Sequence, residues 1–187
     1  ELDDIDYLFC MNANGVTYYE VGDVVYMDVP DTAVPFNNLK HTDSNNLNSI
    51  RVLNRFKSHL FNISHYQKAD IKTKQEAVTL KLLTYPWSFD IVPCFITNAN
   101  VFGKTYYLIP DGKGHWKKTD PRIDKERTTR INQLRSGNVL QVIRAMKYWN
   151  NRPTMASMGS YVLENMILDY YEYNDASSYV DFEVKKL

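Results

Sequence analysis

The sequence predicts an α+β protein in which a strand-rich lobe comes first and a helical lobe follows. Two observations carry that prediction. Up to about residue 121, apolar residues alternate or run in short stretches rich in Val, Ile, Tyr and Phe, the strand pattern. From residue 122 onward they recur at three- and four-residue steps, the helix pattern. A chain of 187 residues is long enough for one sizeable core or two small lobes. Residues 1–121 and 122–187 are therefore read as two domains, the first built on an antiparallel or mixed sheet.

Taken in order, residues 5–11 form a short strand. Alternation sets Asp4 and Asp6 on one face and Ile5, Tyr7 and Phe9 on the other, which is expected to be the core. Residues 16–29 read as a hairpin around Gly22-Asp23. Residues 30–44 read as a flexible polar loop. A helix is expected over 45–63, capped by Ser44 or Asn45, with Leu47, Ile50, Leu53, Phe56 and Leu60 inward. Residues 77–83 and 87–96 form a second hairpin, turned by Thr84-Tyr85-Pro86, with Asp90 midway along its second arm. Residues 106–109 make another strand. A polar loop runs from 111 to 121, with Trp116 read as a lid. Three helices are expected: 124–135; 139–149, capped by Asn138, with Val139, Ile143, Met146 and Trp149 inward; and 158–173, whose Met166 is also placed in the core. Residues 178–184 read as a strand.

The net charge is zero, which gives no drive toward nucleic acid or an anionic membrane. Its distribution is uneven. Residues 1–31 hold eight acids and no Lys or Arg, whereas residues 111–135 hold eight bases against four acids. Two oppositely charged edges suit a metal and a polyphosphate, although two solvated faces would look the same. No apolar run approaches the ~20 residues of a membrane span. Cys10 and Cys94 lie in apolar runs without metal-ligand spacing and are expected to be buried and reduced, as in a cytoplasmic protein. The four histidines show no ligand spacing and are read as surface residues.

Asp90 is the conspicuous residue, an acid within Trp87-Ser-Phe-Asp-Ile-Val-Pro-Cys-Phe95. Burying an unpaired carboxylate in an apolar strand is costly. Such an acid is solvated, paired or held on a cation. Asp4 and Asp6 offer partners for a shared cation. Three carboxylates on adjacent strands can hold two divalent ions about 4 Å apart. Oxygen ligands favour Mg²⁺ or Mn²⁺. Asp-x-Asp pairs are also common as plain surface charge, and the spacing alone leaves both readings open.

Five segments in order carry a resemblance. They are Asp-Ile-Asp-Tyr-Leu-Phe at 4–9, Phe-Asp-Ile-Val-Pro-Cys-Phe at 89–95, Tyr-Leu-Ile-Pro-Asp-Gly-x-Gly-x-Trp-x-x-Thr-Asp-Pro at 107–121, Val-Ile-Arg-Ala-Met-Lys-Tyr-Trp at 142–149 and Ser-Tyr-Val-Leu-Glu at 160–164. Together they resemble the cGAS/DncV-like nucleotidyltransferases (CD-NTases) of the polymerase-β-like superfamily, over about residues 1–170. The resemblance implies a polymerase-β-like catalytic core joined to a helical lobe. It implies that Asp4, Asp6 and Asp90 are the catalytic acids and bind two Mg²⁺ or Mn²⁺ ions, with Asp90 also orienting the ribose hydroxyl. Lys147 and Ser160 match residues that contact the donor triphosphate. The implied activity joins NTPs into a cyclic di- or trinucleotide that switches on a downstream effector in bacterial anti-phage signalling.

The family also carries a Gly-Ser element before the first acid pair and further C-terminal helices, expected after residue 187. This sequence contains neither, so a fragment is expected. Two other readings follow from the same residues. One is a catalytically inactive relative that binds nucleotide or a partner. The other is an oligoadenylate-type enzyme making linear products.

Overall fold

The computed structural model describes residues 4–85, 87–154 and 158–187, with Asp4 described through its backbone. Pro86, expected in the turn before the Asp90 strand, and the Asp4 side chain lie outside the described residues. The chain divides into two compact units, one ending at Asp120 and the other running Pro121–Leu187.

In the first unit, eight strands among the described residues form a mixed sheet: β1 (Asp4–Cys10), β2 (Thr17–Val21), β3 (Val24–Asp28), β4 (Asp70–Lys74), β5 (Ala77–Lys81), β6 (Ser88–Ile96), β7 (Tyr107–Pro110) and β8 (Trp116–Thr119). The order is β2-β3-β8-β7-β6-β5-β4, and β1 pairs with β6 off that path. The first pair is a hairpin whose turn needs Gly22 at φ +60°, a conformation glycine adopts without a Cβ clash. Central to the unit is β6. One edge pairs antiparallel with β5, and the other pairs parallel with β1 and then antiparallel with β7.

One helix, α1 (Ser49–Phe61), covers the β4–β6 part of the sheet with Leu53 and Leu60. Its cap is Asn48, whose side chain accepts from the Arg51 N–H at 3.1 Å, rather than Ser44 or Asn45. Asn46 and Leu47 are held in β-bridges to Asp28 and Lys40, which displaces the helix start. The segment read as a flexible loop instead carries a 3-10 turn over Val34–Leu39. It is anchored because Ala33 and Phe36 are buried in the core of Val25, Met27, Leu47, Phe95, Leu108 and Trp116.

Trp116 is not a lid. It is fully buried, and its Nε1–H donates to the Leu47 carbonyl at 2.9 Å. The face of β1 expected in the core is open. Tyr7 is 61% exposed, and Phe9 rests on Phe56 with ring centroids 5.1 Å apart. Cys10 is likewise exposed, whereas Cys94 is buried. His41 and His115 are half-buried and stack on each other, whereas His59 and His65 are exposed.

The second unit holds α2 (Pro121–Leu134), α3 (Val139–Asn150), α4 (Ser160–Tyr173) and α5 (Val180–Lys186). Its core joins Ile131, Val139, Val142, Ile143 and Met146 to Leu163, Ile167, Leu168 and Tyr171. Trp149 and Met166, expected inside, are exposed. Asn138 stands at the α3 N-cap position, but its side chain donates to the Ser177 carbonyl. Residues 180–186 are helical, not extended. The reason is local. Buried Glu183 accepts from the Tyr171 hydroxyl at 2.6 Å and from the Ser177 N–H at 2.8 Å, which fixes the turn into α5. No helix among the described residues is long and apolar enough to cross a membrane.

Candidate active site

Two stretches far apart in sequence meet because β1 and β6 pair in parallel. Asp6 lies directly beside Asp90, and Asp4 beside Ser88. Directly paired residues project to the same sheet face, and neighbouring strands lie about 4.8 Å apart. The Asp6 and Asp90 carboxylates therefore stand on one face, a strand spacing apart at the backbone. Asp6 is exposed and Asp90 half-buried.

From β5 the row continues. Thr79 pairs with Asp90, and its Oγ1–H donates to Asp90 Oδ1 at 2.6 Å. Lys72 on β4 pairs with Thr79 in turn. Asp6, Asp90, Thr79 and Lys72 thus form a polar row across four strands. The alternate residues Ile71, Val78 and Leu80 are buried on the opposite face, where α1 packs. This answers the question posed by Asp90. Its carboxylate keeps some solvent and takes a charge-assisted hydrogen bond, the two conditions under which a half-buried acid is tolerated. Beside it opens a cavity of about 380 Å³ lined by Asp70, Lys72, Lys74, Thr79, Ser88 and Asp90. A larger depression of about 730 Å³, around Lys40, His41 and Arg51, shares no residue with the row.

Among the described residues, no group of three or more His, Cys, Asp or Glu side chains is arranged to hold a metal ion. The described part of the predicted acid set is the pair Asp6 and Asp90. That pair fits a hard divalent cation by its chemistry. It presents carboxylate oxygens from adjacent strands on one face, with one of them orientated by Thr79. Position 4 shares the two-residue phase of position 6 along β1.

Lys147 and Ser160 lie in the helical unit. Lys147, on α3, is ion-paired with Glu164 of α4. Ser160 is exposed and is the first residue of α4. Positions 160 and 164 are four apart on one helix and share a face. The Glu164 pair thus holds the Lys147 ammonium one turn from Ser160.

Sequence reasoning assigned no role to Thr79 or Glu164. The hairpin register of β5 and β6 would have identified Thr79 as the residue opposite Asp90. No sequence spacing marks Glu164 as the partner of Lys147, because the two lie on different helices.

No family model matches the chain. A probable cyclic nucleotide synthase of Bacillus cereus (strain VD146) is 51% identical over 171 residues, covering 91% of this chain and 51% of that protein. The chain thus spans about half the length of the curated relative it matches. Escherichia coli DncV, solved in a 3′-deoxy GTP bound form, has a similar fold with TM-score 0.61 and 14% identity, over 94% of this chain and 42% of that one. The CdnE cyclic dinucleotide synthase of Elizabethkingia meningoseptica, solved with GTP and Apcpp, matches with TM-score 0.56 and 14% identity, over 92% and 68% of the two chains.

Proposed function

We propose, from the premise that this chain is a cGAS/DncV-like nucleotidyltransferase (CD-NTase), that its protein joins NTPs into a cyclic di- or trinucleotide. The observation that supports the reading best is the parallel register of Asp6 with Asp90, backed by the Thr79 hydrogen bond.

In this reading Asp4, Asp6 and Asp90 hold two Mg²⁺ or Mn²⁺ ions. Bound there, the ions would acidify the attacking ribose hydroxyl and offset the charge on the leaving pyrophosphate. Asp90 is the residue that orients the hydroxyl. Thr79 holds Oδ1 and so sets the rotation of the carboxylate, leaving Oδ2 as the oxygen through which it meets the substrate and accepts its proton. Lys147 and Ser160 contact the donor triphosphate. Lys147 would exchange Glu164 for phosphate, and the first turn of α4 adds backbone N–H groups. The cyclic product acts in the cytoplasm on an effector in anti-phage signalling.

Incubating the full-length protein with labelled NTPs and Mg²⁺ or Mn²⁺ tests this. Phosphatase-resistant cyclic products are expected from the wild type and none from Asp90→Asn. Identical products from both proteins would sink the proposal. Linear products alone would favour an oligoadenylate-type transferase, and nucleotide binding without turnover would favour an inactive relative.

A further inference from the structure

The sheet face that carries Asp90 also carries three lysines for which the proposed chemistry has no use. Lys81 lies on β5, two residues from Thr79, and Lys72 and Lys74 lie on β4. The pairings Asp90–Thr79–Lys72 and Ser88–Lys81–Asp70 place all three on the Asp90 face. Buried Ile71, Val78 and Leu80 fix that phase from the other side. Lys72 is ion-paired with Asp70 at 2.6 Å. Among the described residues Lys74 and Lys81 have no such partner, and both are exposed. Lys74 and Lys81 border the cavity that Asp90, Thr79 and Ser88 also line.

Lysines on an edge strand discourage edge-to-edge pairing. That accounts for β4, the sheet edge, but not for Lys81 on β5, which has a partner strand on each side. Lys81 and Lys74 stand two residues to either side of the Asp90–Thr79–Lys72 row and flank the cavity, while Lys72 between them is already offset by Asp70. The patch is small and Asp70 interrupts it. A compact anion therefore suits it better than a nucleic acid, which is held along an extended basic track.

We propose that Lys74 and Lys81, with Lys72 beside them, bind the 5′-polyphosphate of the nucleotide whose ribose hydroxyl attacks. This rests on the reading in which Asp90 orients that hydroxyl. With strands about 4.8 Å apart and a rise of about 3.3 Å per residue, the three lysine Cα atoms lie roughly 8–12 Å from that of Asp90. In a nucleotide the 5′ phosphates hang from C4′ through C5′, so the β- and γ-phosphates lie several bonds beyond the ring from the 2′ and 3′ hydroxyls. A hydroxyl held at Asp90 therefore leaves its phosphates at least a ribose length away, within reach of flexible lysine side chains. The donor contacts proposed above belong to different residues, Lys147 and Ser160, so the lysines on this face are left for the acceptor.

Acceptor use can be isolated with a donor triphosphate lacking both ribose hydroxyls and an acceptor whose α,β-bridging oxygen is a methylene, so that each molecule plays one role. In the full-length protein, Lys74→Gln/Lys81→Gln should raise KM for the methylene triphosphate acceptor on the order of tenfold. KM for the matching 5′-monophosphate acceptor, and for the donor, should stay unchanged. An unchanged KM for the triphosphate acceptor overturns the inference. So does an equal loss for all three substrates, or a loss of affinity for single-stranded RNA with acceptor KM intact. If the wild type forms no product, the synthase reading has failed separately. The lysines are then read by equilibrium binding. A preference for methylene triphosphate over monophosphate that the double variant loses upholds the inference, and no such preference overturns it.

Discussion

Replacing Thr79 with valine removes one hydroxyl while nearly preserving side-chain volume, and β-branched valine suits a strand. The hydroxyl donates to Asp90 Oδ1 at 2.6 Å, a short bond to an ionised acceptor. Hydrogen bonds to charged groups are worth roughly 1.5–3 kcal/mol. Asp90 is half-buried rather than enclosed, so the lower end of that range applies. If the bond holds the carboxylate in its working rotation, about 1.4 kcal/mol of transition-state stabilisation is lost, roughly a tenfold fall in kcat. KM should move little, because Thr79 positions Asp90 and does not itself meet the substrate. Thr79→Ser keeps the hydroxyl and should restore most of the rate. Initial rates of product formation by the full-length protein, over a range of NTP concentrations, give both constants. An unchanged kcat in Thr79→Val, with Asp90→Asn inactive, would refute the positioning role. Equal losses in the Val and Ser variants would assign the effect to packing instead.

Two further outcomes test the structure beneath the chemistry. Cys10 and Cys94 are register partners with sulfur atoms 3.2 Å apart, so a thiol oxidant such as a diazene dicarboxamide should close a disulfide between them as it takes up their two hydrogens. Peptide mass spectrometry should find the linked peptides. Burial, followed by the hydrogen bond and charge of Cys10, pushes the Cys94 thiol up to about 12, so exposed Cys10 should react first. A shift of one residue between β1 and β6 would leave the two thiols unlinked. In the helical unit, burial pushes the Glu183 carboxyl up, but Lys186, the Tyr171 hydroxyl and the Ser177 N–H together outweigh it and hold Glu183 below the ordinary carboxylate value. A carboxyl depressed in the folded state stabilises above its unfolded value and loses that contribution as pH falls through its folded one. Thermal melting followed by circular dichroism should show stability falling on the acid side of the ordinary carboxylate range. Glu183→Gln should flatten that part of the profile, and an unchanged slope would contradict the assignment.

Much of this architecture is legible in the sequence because one-sided strands and amphipathic helices write their burial into periodicity. The hairpin at Gly22 and the strand around Asp90 show this, as do α3 and α4. Strand β4 hid because Asp-Ile-Lys-Thr-Lys has one apolar residue, Ile71, and every other residue of the strand is polar and exposed. Trp116 misled for the opposite reason. It sits among Lys, His and Gly, yet its indole fills the core and finds a carbonyl partner 69 residues away. The exposure of Tyr7 and Phe9 was equally unreadable, because alternation marks which residues share a face but not whether anything covers it. In the candidate site, the acids stood out by their chemistry. Thr79 and Glu164 are ordinary residues made relevant by what lies across from them.

The parallel pairing of β1 with β6 explains why the apolar neighbours of Asp90 matter to its chemistry. An antiparallel hairpin sets its own register through its turn, but β1 and β6 are joined by a connection holding four strands and α1. Their alignment must come from the strands themselves. A slip of one residue would send Asp6 to the opposite face from Asp90. Several features resist that slip. Leu8 pairs with Val92, Cys10 pairs with Cys94, and the Met11 N–H bonds the Cys94 carbonyl at 2.8 Å. Beyond the acids, Phe95 locks the far end of β6 into the core between Phe36 and Trp116. With β6 anchored there, and β5 zipped to its near half, the position of each carboxylate follows from packing several residues away. The acid pair is therefore held by the least acidic part of the strand.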